Sequence, residues 1–302
     1  MPTDMAYHTT VLLHEGVEAL KINPNGVYVD VTLGAGGHSK EILKHLGPEG
    51  RLFGFDQDSD AVQNQPDDER FELCFGNFRF TRQFLTAKGV EKVDGIIADL
   101  GVSGFHFDEA SRGFSFRFDA RLDMRMNSSQ LKDAVQVVNE YEEGELMRIF
   151  KQFGESGFAK PIVRRVVKER ADKTIETTKD LVSLIEAVVP ERKVKSELPK
   201  VFQAIRIEVN DELKVLQEFL TQVPELLKPG GRLVVLSYHS LEDRMVKHFL
   251  RSGNFDDLQE KDIYGNVLRP MDQDGKVIVP SEEEITENPR ARSAKMRIGI
   301  RR

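Results

Sequence analysis

The sequence predicts a doubly wound α/β sheet interrupted by an all-helical insertion. Three observations carry this expectation. Short apolar runs alternate with helix-patterned stretches between Gly26 and Leu100; the alternation then gives way to helical periodicity alone; and it resumes with a helix, a glycine turn and a strand in "DELKVLQEFLTQVPELLKPGGRLVVLSYHS". Alternation of this kind places parallel strands in one sheet with helices on both faces.

Taken in order, "GVYVDVTL" is a β-branched apolar run and reads as the first strand. A glycine-dense turn and the helix-spaced "HSKEILKHL" follow it. "GRLFGFD", "RFELCFGNF" and "VDGIIADLG" read as three further strands. The segments "LKDAVQVVNEYEEGELMRIFKQFG", "FAKPIVRRVVKERADK" and "TTKDLVSLIEAVVP" have helical spacing, with threonines in "TIETTKDL" available as caps. We therefore assign residues 1–105 to the first part of the sheet domain, 106–205 to the insertion and 206–302 to the second part. Gly230 and Gly231 permit the positive φ angles of a tight turn before "RLVVLSYHS". The stretch 254–280 is polar and turn-rich, and the terminal "AKMRIGIRR" alternates as expected of an edge strand.

Composition narrows the function classes. The 302 residues carry a net charge of -7, which argues against a protein that coats nucleic acid uniformly. Charge is uneven, however: residues 106–205 hold 18 Lys+Arg against 17 Asp+Glu, so any polyanion contact is expected there or at the tail. A single cysteine, Cys74, excludes an intrachain disulfide and fits a reducing compartment. No apolar run approaches a membrane span, and "MPTDMAYHTT" lacks signal-peptide regions, so a cytoplasmic location is expected.

The stretch "DVTLGAGGHSKEIL", Asp30 to Leu43, is the most informative. A strand, a glycine turn and a helix start form a polar-ligand site, because free amides point outward and glycine admits close approach. A dinucleotide fingerprint would need glycine where Ser39 stands, and a phosphate loop would need Gly-Lys-Ser/Thr. Asp30 would repel a pyrophosphate but suits an ammonium group. Asp56, at the end of the second strand and twenty residues beyond Gly36, stands where such folds bind ribose hydroxyls. Together Asp30, Gly34, Gly36, Gly37 and Asp56 describe a site for S-adenosyl-L-methionine. Asp99 ends the fourth strand, where open α/β sheets place their chemistry, and is the leading catalytic candidate.

The blocks "HTTVLLHEGVEAL", "DVTLGAGGHS", "FGFDQD", "DLGVSG", "RGFSFRFDARLDMRMN", "FQAIRIEVNDEL", "GGRLVVLSYHSLEDRMVK" and "NPRARSAKMR" resemble, in order, the signatures of the RsmH (MraW) family. The resemblance spans His8 to Arg297 and implies a class I (Rossmann-like) methyltransferase sheet with a helical substrate-recognition insertion. It further implies transfer of a methyl group from S-adenosyl-L-methionine to the exocyclic 4-amino group of a cytidine in the decoding region of 16S ribosomal RNA. The partner would be the small ribosomal subunit or its 16S rRNA, with no membrane and no metal. On this chain the cofactor contacts would be Gly36, Gly37, His38, Asp56, Asp99 and Phe78, the last against the adenine, with His106 where the family commonly has glutamine.

A cytosine reached in RNA needs stacking partners and phosphate contacts. Arg112, Phe114, Arg117, Arg121 and Arg125 interleave cations with aromatic rings, and Arg164, Arg165 and Lys168 line a helix; Tyr238 and His239 follow the last core strand. These are the expected RNA-facing residues. A nicotinamide dehydrogenase and a non-catalytic ribosome-assembly factor are the alternatives. The missing third glycine counts against the former, and the pairing of Asp56 with Asp99 against the latter.

Overall fold

The computed structural model describes residues 10–102 and 109–302. They divide into two compact units, Met1–Gly101 with Leu213–Arg302, and Val102–Glu212.

The first unit is built on a seven-stranded sheet of β1 (Val27–Asp30), β2 (Arg51–Asp56), β3 (Phe71–Phe75), β4 (Val93–Asp99), β5 (Leu227–Ser237), β6 (Met271–Gln273) and β7 (Lys295–Arg301), in the order β3-β2-β1-β4-β5-β7-β6. Strands β1 to β5 pair in parallel, whereas β7 runs antiparallel to both β5 and β6. Successive side chains of a strand point to opposite faces. Val29, Phe53, Ile96 and Val235 accordingly enter one apolar layer with Phe219, while Tyr28, Leu52, Ile97 and Val234 enter the other with Leu12 and Ile42. The layers are closed by α1 (Leu13–Leu20), α2 (Gly37–His45), α3 (Thr81–Ala87), α9 (Glu212–Leu226) and α10 (Ser240–Ser252), while α11 (Glu282–Glu287) buries none of its residues. The "KPGG" turn leaves the β4–β5 ladder between the Val93↔Leu227 and Gly95↔Arg232 pairs, with Gly230 at φ 77°.

The expected edge strand is not at the edge. Strand β7 lies between β5 and β6, because three residues of the turn-rich stretch, Met271–Gln273, pair along its outer side.

The second unit is helical among its described residues: α4 (Ala134–Glu140), α5 (Glu143–Gln152), α6 (Ala159–Arg170), α7 (Thr178–Glu186) and α8 (Glu191–Asn210). Its core contains Phe114, Leu122, Val137, Ile149, Phe150, Ile162, Val166, Leu181 and Val201. The 24-residue pattern that begins at Leu131 forms two helices. Asp133 and Gln136 make a capping box at α4, and Glu145 caps Glu142 to start α5. The boundary at residue 205 also moves, since α8 runs on to Asn210 and buries Val209 in the helical core. Met126 and Asn210 tie the two ends of this unit, with Met126 N donating to Asn210 Oδ1 at 2.8 Å and Asn210 Nδ2 to Met124 O at 2.8 Å.

Candidate active site at the carboxyl edge of the sheet

Parallel strands β1, β2 and β4 all end on a carboxylate, so the sheet itself gathers Asp30, Asp56 and Asp99 at one edge. Their environments then separate their roles.

Asp56 organises the glycine turn. Its Oδ2 accepts from Gly34 N at 2.9 Å and its Oδ1 from Asp58 N at 2.9 Å, and it keeps partial exposure. Gly34 has φ 51°, and a Cβ there would meet only Thr32 O at 3.8 Å, so the space over the turn is open. The two other glycines answer to the chain's own atoms. Gly36, at φ 78°, would place a Cβ 2.8 Å from Asn64 O, and Gly37 would place one 1.8 Å from Thr10 Oγ1.

Asp30, expected from sequence to face an ammonium group, is enclosed by the chain itself. It is 1% exposed, with Oδ2 accepting from Ser39 Oγ at 2.7 Å and Oδ1 from Thr32 N at 3.1 Å. Burial pushes its carboxyl up to about 6, against the two hydrogen bonds. His38 is likewise enclosed at 4% exposure, and burial lowers its imidazole to about 4, leaving it neutral. Its Nδ1 lies 3.8 Å from Asp99 Oδ2.

Asp99, unlike Asp30 and His38, keeps partial exposure, its side chain 23% exposed. Its Oδ1 accepts the Tyr238 hydroxyl at 2.7 Å, and its backbone N donates to Thr32 Oγ1 at 2.6 Å. Burial pushes Asp99 up to about 7; the Tyr238 bond opposes this, while the charges of Asp30 and Glu242 add to it. Burial and the neighbouring Asp99 carboxyl hold the Tyr238 hydroxyl well above its usual range, so it stays a donor. Gly101, at φ 99°, would place a Cβ 3.3 Å from the Tyr238 ring.

Phe78 follows β3 and stands edge-on to Phe219, with ring centroids 5.3 Å apart, in a half-buried position that leaves part of the ring accessible. His239, expected from sequence to face RNA, has its ring largely enclosed. It is the N-cap of α10, with a side chain 8% exposed and Nε2 3.2 Å from Glu242 Oε1. His106 lies outside the described residues.

In the helical unit the RNA-facing residues expected from sequence separate into two groups. Arg112, Phe114 and Arg125 build the segment. Arg112 donates to Arg125 O at 2.8 Å and Met126 O at 3.1 Å, and Phe114 is 3% exposed in the core. Arg125 is spent on Asp123, at 2.8 and 2.6 Å, and on Gln130 O at 2.8 Å. The chain crosses itself here, for a Cβ on Gly113 would lie 2.2 Å from Arg121 O; beside the crossing Phe114 is buried while Arg112 and Arg125 stay half-buried. Arg117 is exposed, Phe118 is 45% exposed, and Arg121 is 60% exposed while paired with Asp133. On α6, Ile162, Val163 and Val166 face the core, so Arg164 and Lys168 point outward, and Arg165 pairs with Glu169 at 3.0 Å. Lys160 joins that outward face, one turn before Arg164, and its i, i+4 spacing in "AKPIVRRVVK" could have revealed it.

The chain is 54% identical over 298 residues to ribosomal RNA small subunit methyltransferase H of Flavobacterium johnsoniae, covering 99% of each. It is 52% identical over 294 residues to the protein of that name from Christiangramia forsetii, covering 97% of each, and 51% over 297 residues to that of Parabacteroides distasonis, covering 98% of this chain and 97% of the other. The family model described as MraW methylase family matches residues 5–302. With the carboxylate-edged sheet that carries its site, this chain belongs to the MraW methylase family.

Proposed function

We propose that the chain methylates the exocyclic 4-amino group of a cytidine in the decoding region of 16S ribosomal RNA, in the cytoplasm, using S-adenosyl-L-methionine. The observation that carries this reading is Asp99: a strand-end carboxyl, partly accessible, given one firm hydrogen bond by Tyr238 and surrounded by negative charge. The donor set fits the cofactor. Carboxylates at three strand ends suit a cationic ligand and a ribose and would repel a pyrophosphate, and the open space over Gly34 admits close approach. Asp56 holds the ribose, Phe78 offers an aromatic face to the adenine, and Asp30 supplies charge from below.

The bound cofactor supplies an electrophilic methyl group on a sulfonium. The exocyclic amine is a weak nucleophile because its lone pair is delocalised into the ring. Asp99 accepts a hydrogen bond from that amine and takes its proton as the nitrogen pyramidalises, with the reacting atoms held at about 3–3.5 Å. Tyr238 fixes the Asp99 carboxyl through Oδ1, leaving Oδ2 for the substrate. Incubating the chain with S-adenosyl-L-methionine and small ribosomal subunits tests the reading directly, since it requires methyl incorporation into the rRNA.

The pH dependence follows from Asp99. In the folded chain it keeps its proton up to about 7, whereas its ordinary value is 3.8. A proton acceptor works only when deprotonated, so single-turnover rate should climb as pH rises through about 7 and level off above it. The same shift means that the folded state binds the extra proton between these values, so the Asp99 contribution to stability falls as pH rises through that window. A rate flat from pH 5.5 to 8.5 would contradict the assignment.

The α6 face formed by Lys160, Arg164 and Lys168 is the proposed phosphate-contact stripe, together with exposed Arg117 and Phe118. Arg164→Glu with Lys168→Glu should weaken subunit binding and reduce the slope of log affinity against log salt by about 1 to 2. Cofactor affinity should be unchanged. A salt series identical to wild type would show the stripe to be a solvated face.

A further inference from the structure

Glu242 is 3% exposed on the first turn of α10 and takes no part in the chemistry above. Its Oε2 accepts from Tyr238 N at 3.0 Å and His239 N at 3.4 Å, and its Oε1 lies 3.2 Å from His239 Nε2. A glutamate reaching back from the third helical position to free amides is a familiar cap, and a solvent-exposed carboxylate performs that duty well. Here the carboxyl is instead taken out of water, which is costly unless partners offset it, and the Tyr238 and His239 amides are among those partners. The amides it grips belong to the residue whose hydroxyl reaches Asp99 and to the next one along the chain.

We infer that Glu242 is a positioning residue for methyl transfer: by clamping the Tyr238–His239 backbone it delivers the Tyr238 hydroxyl to Asp99 Oδ1. The inference rests on the reading of Asp99 as proton acceptor. The strand alone does not set this geometry, since Tyr238 lies one residue past the last β5 residue, Ser237, and its backbone direction is fixed by the α10 cap. Tyr238 in turn occupies one Asp99 oxygen and leaves the other for the amine. The groups that face Asp99 are Asp30 from β1, His38 from α2, Tyr238 after β5 and Glu242 from α10. Of these Glu242 is the one that both bears on Asp99 by charge and holds its hydrogen-bond donor in place.

The two duties separate in variants. Glu242→Ala removes both clamp and charge; Glu242→Gln retains an acceptor oxygen for the amides and removes only the charge. In single-turnover methylation of small ribosomal subunits at saturating S-adenosyl-L-methionine, Glu242→Ala should lower the rate by at least about tenfold with cofactor affinity unaltered. Added to Tyr238→Phe it should cost little more, because the two changes break one chain of contacts. Glu242→Gln should recover most of the alanine loss at high pH, while its acid limb moves to lower pH, since a negative neighbour of Asp99 has gone. If Glu242→Ala does not fold, Glu242→Asp, which keeps the charge but draws it back from the amides, takes its place: its rate loss and its non-additivity with Tyr238→Phe decide the question. Losses that multiply in the double variant, or variants that lower thermal stability while leaving rate and acid limb as in wild type, would reduce Glu242 to a helix cap and overturn the inference. An inactive wild-type chain would overturn the methyl-transfer reading itself, and with it this inference.

Discussion

Asp99→Asn should reduce single-turnover methyl transfer at saturating S-adenosyl-L-methionine by at least about a hundredfold, equivalent to about 2.7 kcal/mol of barrier. Asparagine keeps the shape and one acceptor oxygen, so the Tyr238 hydroxyl at 2.7 Å retains a partner and the fold is preserved. What disappears is the charge that offsets the positive charge growing on the amine nitrogen, an effect commonly worth several kcal/mol where water is excluded. The acid limb near 7 should vanish from the pH profile as well, because the titrating group is gone. Affinity for the cofactor is measured beside the rate, since Asp99 shares its edge of the sheet with Asp56. A near wild-type rate would move the acceptor role away from Asp99.

Asp56→Ala should weaken binding of S-adenosyl-L-methionine by about 1.5–3 kcal/mol, the usual worth of a charge-assisted hydrogen bond, which is roughly a tenfold to hundredfold loss in affinity. The structure adds a second reason for a large effect. Asp56 accepts from Gly34 N and Asp58 N, so its removal also releases the turn over which we propose the cofactor binds. Calorimetric titration of the folded variant measures the loss; unchanged affinity would place the ribose elsewhere. Asp56→Asn keeps an acceptor for one of these amides and should fall between alanine and wild type.

The strands that hold this site are legible in the sequence because each is a short apolar run bounded by turn residues, and the carboxylates at their ends follow from position alone. Elements that depend on partners are not. Strand β6 is three residues long, and without it β7 reads as an edge. Helix α8 hides behind its charges and an internal Pro199, although it buries Val201, Phe202 and Ile205. The aromatic and arginine pattern of residues 112–125 points to a surface, but next to the chain crossing at Gly113 the ring of Phe114 is buried, and Arg112 and Arg125 are half-buried on local partners. The position of Asp30 is visible in the sequence, and its enclosure by Ser39 and Thr32 is not. Glu242 is missed for a similar reason. In "HSLED" nothing marks which residue caps the helix; it is His239, which makes Glu242 the residue that reaches back.

The central claim is that a proton on an exocyclic cytosine amine passes to Asp99 as a methyl group arrives. The most direct test is to incubate small ribosomal subunits with the wild-type chain and isotopically labelled S-adenosyl-L-methionine, digest the rRNA and locate the label by mass spectrometry of the nucleosides. The account predicts labelled cytidine methylated on its 4-amino nitrogen, absent when Asp99→Asn replaces the wild type. Label on a ring carbon or a ribose hydroxyl, or none in 16S rRNA, would contradict it.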